Sequence, residues 1–166
     1  MSTRAQIFVT DNDSIQQEHP QGILLYRHSD GGPDDVKVTL GEFINMVKNG
    51  KIRDNCEQAA GWLIHIGREE FAEYRNDPVV GGSMGWKVGA YEPSCCLHGD
   101  IEYFYIVNVE MKTVQYCDVH EAEHNKAIQD YLTREIGGTA AGFADLEAGV
   151  FAGLLLKHKL LTELKF

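Results

Sequence analysis

The chain has 166 residues, 43% of them hydrophobic, which is enough for one domain to bury a core without a disulfide or metal to hold it together. Its 25 acidic and 15 basic residues give a formal net charge of −10. A surface of that sign repels a phosphate backbone, which argues against direct nucleic-acid binding and favours a basic protein partner, although the same charge also serves solubility alone.

The sequence also constrains the cellular setting. Its apolar stretches are too short to span a bilayer, and residues 1–13 lack the basic start and apolar run of a secretory signal. We therefore expect a cytoplasmic protein without membrane association. The four cysteines, Cys56, Cys95, Cys96 and Cys117, form no C-x-x-C pair, which favours buried or partly buried thiols over a disulfide framework.

The first part of the chain predicts two strands followed by two helices. Residues 5–10 and 22–28 are short and rich in β-branched or aromatic residues, as strands are, and the polar stretch between them predicts a loop. The Asp, Gly and Pro residues at 30–35 predict a turn. Capping patterns and apolar stripes then predict helices over residues 39–50 and 54–74.

The second part of the chain predicts three strands followed by two helices. The strands are expected at residues 86–91, 101–109 and 113–118, and the short turn between the last two predicts an antiparallel hairpin. Helices over residues 119–135 and 141–164 follow, with Gly residues between them as a helix end.

The order of these elements predicts an α+β fold. We expect a mainly antiparallel sheet of about five strands, with a helical pair inserted and two C-terminal helices. The whole chain, residues 1–166, is expected to form a single domain, in which residues 1–118 contain the sheet and the inserted helices and residues 119–166 the C-terminal helical pair.

Two strings at predicted strand ends carry a resemblance. The string YRHSDGGP, at residues 26–33, ends one strand, and the string HGDIEY, at residues 98–103, opens another. Together they resemble a group of uncharacterised proteins of phages and integrated bacterial elements, although Gly32 stands where that group has an aromatic residue. The resemblance covers residues 20–110 and implies a mobile-element setting but no known activity.

The string HEAEH, from His120 to His124, is an H-E-x-x-H pattern in a predicted helix. Residues four apart share a helix face, so both imidazoles could bind one Zn²⁺ while Glu121 acts as the catalytic base on a bound water. Glu147 in the next helix could supply a third ligand. In the alternative interpretation the string is an ordinary helix start, because Asp118 and Glu121 also form a capping pattern.

A second candidate metal site combines two predicted strand ends. His28 and Asp30 lie at one, and His98 and Asp100 lie at the other, so the four side chains would converge if the strands were neighbours. Such nitrogen and oxygen ligands suit a divalent metal and hydrolytic chemistry. In the alternative interpretation, both aspartates serve tight turns and His28 bonds within the fold.

Gly149 and Gly153 form a ridge of small residues on the apolar predicted last helix. Such a ridge lets another helix approach closely. That helix is either the one at residues 119–135 of the same chain or its copy across a homodimer interface.

These patterns leave three functions open. The acidic balance and the resemblance favour a non-enzymatic binding or regulatory protein of a phage or mobile element, with a basic host protein as its partner and no cofactor. The two candidate metal sites favour a metal-dependent hydrolase that uses Zn²⁺ or another divalent ion. The glycine ridge favours an oligomerising structural subunit.

Overall fold

The computed structural model describes residues 3–70, 72, 89–137 and 142–166. The strands in this part of the chain are β1 (Ala5–Thr10), β2 (Ile23–Arg27), β3 (Glu92–Pro93), β4 (Tyr103–Asn108), β5 (Thr113–Asp118) and β6 (Thr162–Glu163). The helices are α1 (Asn12–Ile15), α2 (Pro33–Lys48), α3 (Cys56–Glu70), α4 (Val119–Glu123), α5 (Lys126–Glu135) and α6 (Ala148–Lys157), with a short 3-10 helix at Phe143–Asp145.

All of these strands belong to one sheet, in the order β3-β2-β1-β4-β5-β6. The two central strands, β1 and β4, run parallel, and each other neighbouring pair is antiparallel. Every residue of β1 is buried, as expected for a strand covered on both faces. The predicted α+β class is confirmed, whereas the sheet is mixed and includes two short strands that the sequence did not predict, β6 and β3, the latter starting just after the predicted strand 86–91, whose described residues 89–91 form no strand.

Helices cover both faces of the sheet, so the molecule has three layers. On one face, Ile7 and Leu25 belong to a buried cluster with residues of α2 and α3. On the other face, Phe8 and Phe104 belong to a second cluster with residues of α4, α5 and α6. The alternation of apolar side chains along β1 thus divides the core into two halves. None of the helices in the described part of the chain has the length and apolar character needed to cross a bilayer.

Helix α2 begins six residues earlier than predicted. Pro33 occupies its first turn, where a missing N–H costs nothing, and two acidic side chains favour the positive end of the helix dipole. The predicted start at Thr39 is wrong, because Thr39 is a buried residue in the middle of the helix. The predicted end of the next helix, near residue 74, and residues 86–88 of a predicted strand lie outside the described residues.

The start of α3 is held by two side chains. Asn55 accepts a hydrogen bond from the N–H of Gln58. Asp11 accepts one from the N–H of Cys56 and also caps α1 through the N–H of Ser14. Burial acts to raise the pKa of Asp11, but these hydrogen bonds outweigh it and lower the pKa to about 2. One carboxylate therefore joins the starts of two helices.

The helices after the sheet are shorter than predicted. The segment 119–135 contains two helices, because Asn125 interrupts it and caps α5 through the N–H of Ala127. Gly137 ends α5 with a φ of 75°, in agreement with the predicted glycine C-cap. Helix α6 ends at Lys157, and Lys159, with a φ of 54°, turns the chain toward β6. The hairpin of β4 and β5 is confirmed, with Asn108 paired to Thr113.

Candidate functional site

Three residues of the second candidate metal site meet around Tyr26. The ring of Tyr26 lies 4.5 Å from the rings of both His28 and His98, measured between centroids. Its hydroxyl donates a hydrogen bond to Asp100 at 3.1 Å. Asp30 serves the turn instead: its carbonyl oxygen accepts a hydrogen bond from Arg27 and its φ is 53°. The fold therefore brings His28, His98 and Asp100 together on an aromatic ring.

Two side chains of this cluster, His28 and Asp100, contact charged residues outside it. His28 Nε2 lies 3.1 Å from a carboxylate oxygen of Glu92, and Asp100 lies 3.5 Å from Arg4. Burial, followed by the charge of Asp100, raises the pKa of Tyr26. Nowhere in the described part of the chain do three His, Cys, Asp or Glu side chains form a group that could hold a metal ion. The divalent-metal interpretation of this cluster stays a prediction.

The first four residues of the HEAEH string lie on α4, a helix of only five residues that ends at Glu123, and His124 follows as its C-cap. Asp118 caps this helix by accepting a hydrogen bond from the N–H of Glu121 at 3.1 Å, which confirms the capping interpretation of that pair. His124 Nδ1 lies 2.8 Å from the carbonyl oxygen of His120. Glu147 is the residue before the first turn of α6. The zinc interpretation of His120, Glu121, His124 and Glu147 likewise stays a prediction.

The cysteines divide into two kinds. Cys56 and Cys117 are buried, whereas Cys95 and Cys96 are exposed, and all four are free thiols. Burial is the main reason why the pKa of Cys56 rises to about 11 and that of Cys117 to about 12. The expectation of buried or partly buried thiols thus applies to two of the four.

The glycine ridge of α6 contacts a loop of the same chain. A Cβ atom at Gly149 would lie 1.7 Å from the carbonyl oxygen of Pro20, and one at Gly153 would lie 3.1 Å from the Pro20 ring. The close approach that the ridge permits is therefore made by the segment before β2. The atoms nearest to both glycines belong to Pro20 and not to α5, and the homodimer interface stays a prediction.

A cleft with a volume of about 650 Å³ lies between α2 and α3, and the sequence did not predict it. Its floor is the ion pair of Arg27 and Glu70. Two nitrogen atoms of the guanidinium donate to the two carboxylate oxygens at 2.7 and 2.8 Å. Thr39 donates a further hydrogen bond to Glu70 at 3.2 Å. Such bidentate geometry makes the floor of the cleft rigid.

The floor is anchored in the protein interior. The Arg27 side chain is only 1% exposed, and its Nε donates to the carbonyl oxygens of Ser29 and Asp30 in the turn before α2. The ring of Tyr91 lies 5.0 Å from the guanidinium carbon. Among the described residues, the buried Tyr91 hydroxyl has no hydrogen-bond partner, and burial raises its pKa to about 12.

A signal for Arg27 was present in the sequence. Ile23 and Leu25 pack against the α2–α3 side of the sheet, and Arg27 is the next residue in this alternating series. A cation at an inward-facing strand position requires a carboxylate partner. Nothing in the sequence identified that partner as Glu70, because its position depends on the packing of α3 over β2.

The walls of the cleft carry negative charge and an exposed aromatic ring. The described residues that line it include one guanidinium, that of Arg27, and the carboxylates of Asp30, Asp35, Glu42, Glu69 and Glu70. Trp62 also lines the cleft, and 44% of its surface is exposed. The ring of His65 lies 5.8 Å from that of Trp62, edge to face. Carboxylates around an exposed indole are the groups that bind organic cations.

Comparisons of the chain with protein-family models, with curated proteins and with solved structures gave no match.

Proposed function

We propose that the protein acts by binding, and that the α2–α3 cleft receives a basic segment of a partner protein. The observation that carries this proposal is the combination of the exposed Trp62 with several carboxylates besides Glu70, which Arg27 already binds, in one cleft. A guanidinium pairs with carboxylates in a bidentate manner and stacks on an indole face, so an arginine side chain matches both features.

The charge of the whole chain supports the same kind of partner. The net charge of −10 attracts a basic surface over a distance and raises its association rate. The protein would thereby regulate its partner, for example by covering a basic surface that otherwise contacts nucleic acid. The resemblance of the strings at residues 26–33 and 98–103 supports a phage or mobile-element setting, in which the partner is a host protein of the cytoplasm.

The proposal is tested with a fluorescently labelled peptide of alternating Arg and Ala residues. Its dissociation constant is measured by anisotropy for the wild type and for two variants, Glu42→Lys in the cleft and Glu18→Lys outside it. Both glutamates are exposed, and both substitutions change the net charge equally. We expect Glu42→Lys to weaken binding roughly tenfold and Glu18→Lys to weaken it by less than about twofold.

A third variant, Trp62→Ala, leaves the charge unchanged and removes the aromatic wall. We expect it to weaken binding roughly fivefold to tenfold, because aromatic anchors carry a large share of binding energy. Equal weakening by the two glutamate variants would mean that net charge alone attracts the peptide. That result would refute the cleft as the binding site.

A further inference from the structure

A second groove lies on the other side of α2, with a volume of about 720 Å³. Its lining includes Lys37, Gly41, Lys51 and Phe166. The Phe166 ring packs over Gly41, since a Cβ atom there would lie 3.1 Å from the ring. Phe166 therefore forms an apolar wall against the outer face of α2, opposite the wall that Trp62 forms on the α3 side.

The two grooves share a wall, so they form one surface. Val38, Glu42 and Met46 line both, and their spacing of four residues places them along one stripe of α2. The stripe spans about 12 Å along the helix axis, from the rise of 1.5 Å per residue. We call the surface made by this stripe, Trp62 and Phe166 the α2 face.

The α2 face concentrates exposed apolar side chains. Val38 is 76% exposed, Phe166 55% and Trp62 44%. In the described part of the chain, these are three of the five large hydrophobic residues exposed to solvent. Single exposed apolar residues are ordinary, but a contiguous group of them is typical of a protein interface.

The charges on the two sides of the α2 face are opposite. Carboxylates of the cleft line the α3 side, and Lys37 and Lys51 line the Phe166 side, while Glu42 of the shared stripe lines both. A segment lying along α2 would thus meet acidic groups on one flank and basic groups on the other. Complementary flanks fix the orientation and register of a bound segment.

We propose that the α2 face binds an amphipathic helix of a partner protein. Its apolar stripe would lie along Val38 and Met46, its basic flank over the cleft and its acidic flank over Lys37 and Lys51. This inference rests on the proposed function and names the form of the basic segment. A helix docked in a groove is anchored by residues three, four and seven positions apart, which matches a stripe two to three turns long.

The test uses a synthetic helical peptide of about 18 residues, long enough for several turns. It carries a Leu stripe, Arg on one flank and Glu on the other. A second peptide has the same composition in an order that destroys the stripe, and a third has Gln in place of the Glu flank. We expect the first peptide to bind the wild type at least tenfold more tightly than the scrambled peptide.

Two exposed residues allow the face to be altered without disturbing the core. Phe166→Ala and Val38→Ser should each weaken binding of the helical peptide roughly fivefold. The control Met111→Ala, which removes an exposed apolar side chain of the β4–β5 turn, should leave the affinity for this peptide unchanged. The double variant Lys37→Glu, Lys51→Glu should weaken binding of the peptide with the Glu flank roughly tenfold and binding of the peptide with the Gln flank by less than about twofold.

Equal affinity for the helical and scrambled peptides would overturn the inference. The inference would also be overturned if Phe166→Ala and Val38→Ser left the affinity for the helical peptide unchanged. If Glu42→Lys still weakened binding of the Arg-Ala peptide in that case, the proposed function would stand. Self-association of the wild type through this face, seen as a mass in light scattering that falls to the monomer in Phe166→Ala, would identify a second copy as the occupant and also overturn it.

Discussion

The ion pair of Arg27 and Glu70 provides a quantitative test of the cleft floor. Replacing Glu70 with Gln keeps the size of the side chain but leaves the guanidinium of Arg27, which is 1% exposed, without its carboxylate. Breaking a buried pair by removing one partner costs about 3–5 kcal/mol. Glu70 is 28% exposed, and two carbonyl oxygens remain as acceptors for Arg27, so we expect the lower limit, about 3 kcal/mol.

The assay is equilibrium unfolding in urea, with the slope checked to be the same for each variant. Arg27→Met should cost a similar amount, and the double variant should cost less than the sum of the two single variants by about 2 kcal/mol. Glu42→Gln, an exposed carboxylate of the same cleft, serves as the control and should change the free energy of unfolding by less than about 0.5 kcal/mol.

Two results would refute this reasoning. A cost below about 1 kcal/mol for Glu70→Gln would show that water solvates the guanidinium, so that it is not sealed beneath the cleft. Additive single variants would show that the two side chains act independently, and the rigid floor inferred from the bidentate geometry would then be absent.

Three further predictions concern other parts of the molecule. Asp11→Asn should destabilise the protein by about 2 kcal/mol at pH 7, because hydrogen bonds outweigh burial and lower the pKa of Asp11 from 3.8 to about 2. Because the pKa is lowered, ionised Asp11 stabilises the fold above pH 4, and this stabilisation is lost as the pH falls toward 2. The difference in the free energy of unfolding between variant and wild type, measured in urea, should therefore shrink over that range. A constant difference would contradict the argument. Gly149→Ala should cost about 2 kcal/mol or more through its clash with the preceding loop, whereas Gly61→Ala, in an open position on α3, should raise the melting temperature; the reverse order would contradict the packing of α6. A thiol reagent should modify Cys95 and Cys96 in the folded protein and the other two thiols only after unfolding, and rapid reaction of all four would contradict the burial of the latter pair.

The parts of the fold that were predicted correctly have strong local signals. β1 and β5 match their predicted ranges, because short runs of β-branched and aromatic residues bounded by polar residues specify strands locally. Gly137 ended its helix as expected, since its positive φ is a local requirement that glycine meets without strain.

The errors occurred where contacts distant in the chain decide the structure. Thr39 resembles a helix cap in sequence, yet its hydroxyl is used by Glu70, 31 residues away. β6 has only two residues and exists because it pairs with β5. The parallel pairing of β1 with β4 likewise depends on how the helices between them pack, which no local pattern records.

In the candidate sites too, local patterns were informative and contacts between distant segments were not predicted. In one of the two interpretations of the sequence, the strand ends bearing His28 and His98 converge if their strands are neighbours; β1 lies between those strands, yet the structure brings both rings onto Tyr26. The sequence did not predict the cleft, because its residues come from the end of β2, from α2 and from α3. None of these segments contains a local pattern that indicates a binding site. Only the packing of the two helices places their carboxylates and one indole in the same cleft.

The most direct test of the cleft as a binding site is an NMR titration of the Trp62 indole N–H with the Arg-Ala peptide. The chain has two tryptophans, and Trp62→Phe assigns the two indole signals. We predict that the Trp62 signal shifts saturably, with the dissociation constant that anisotropy reports. Saturation of the anisotropy while the Trp62 signal stays in place would contradict the account, because the peptide would then bind elsewhere on the protein.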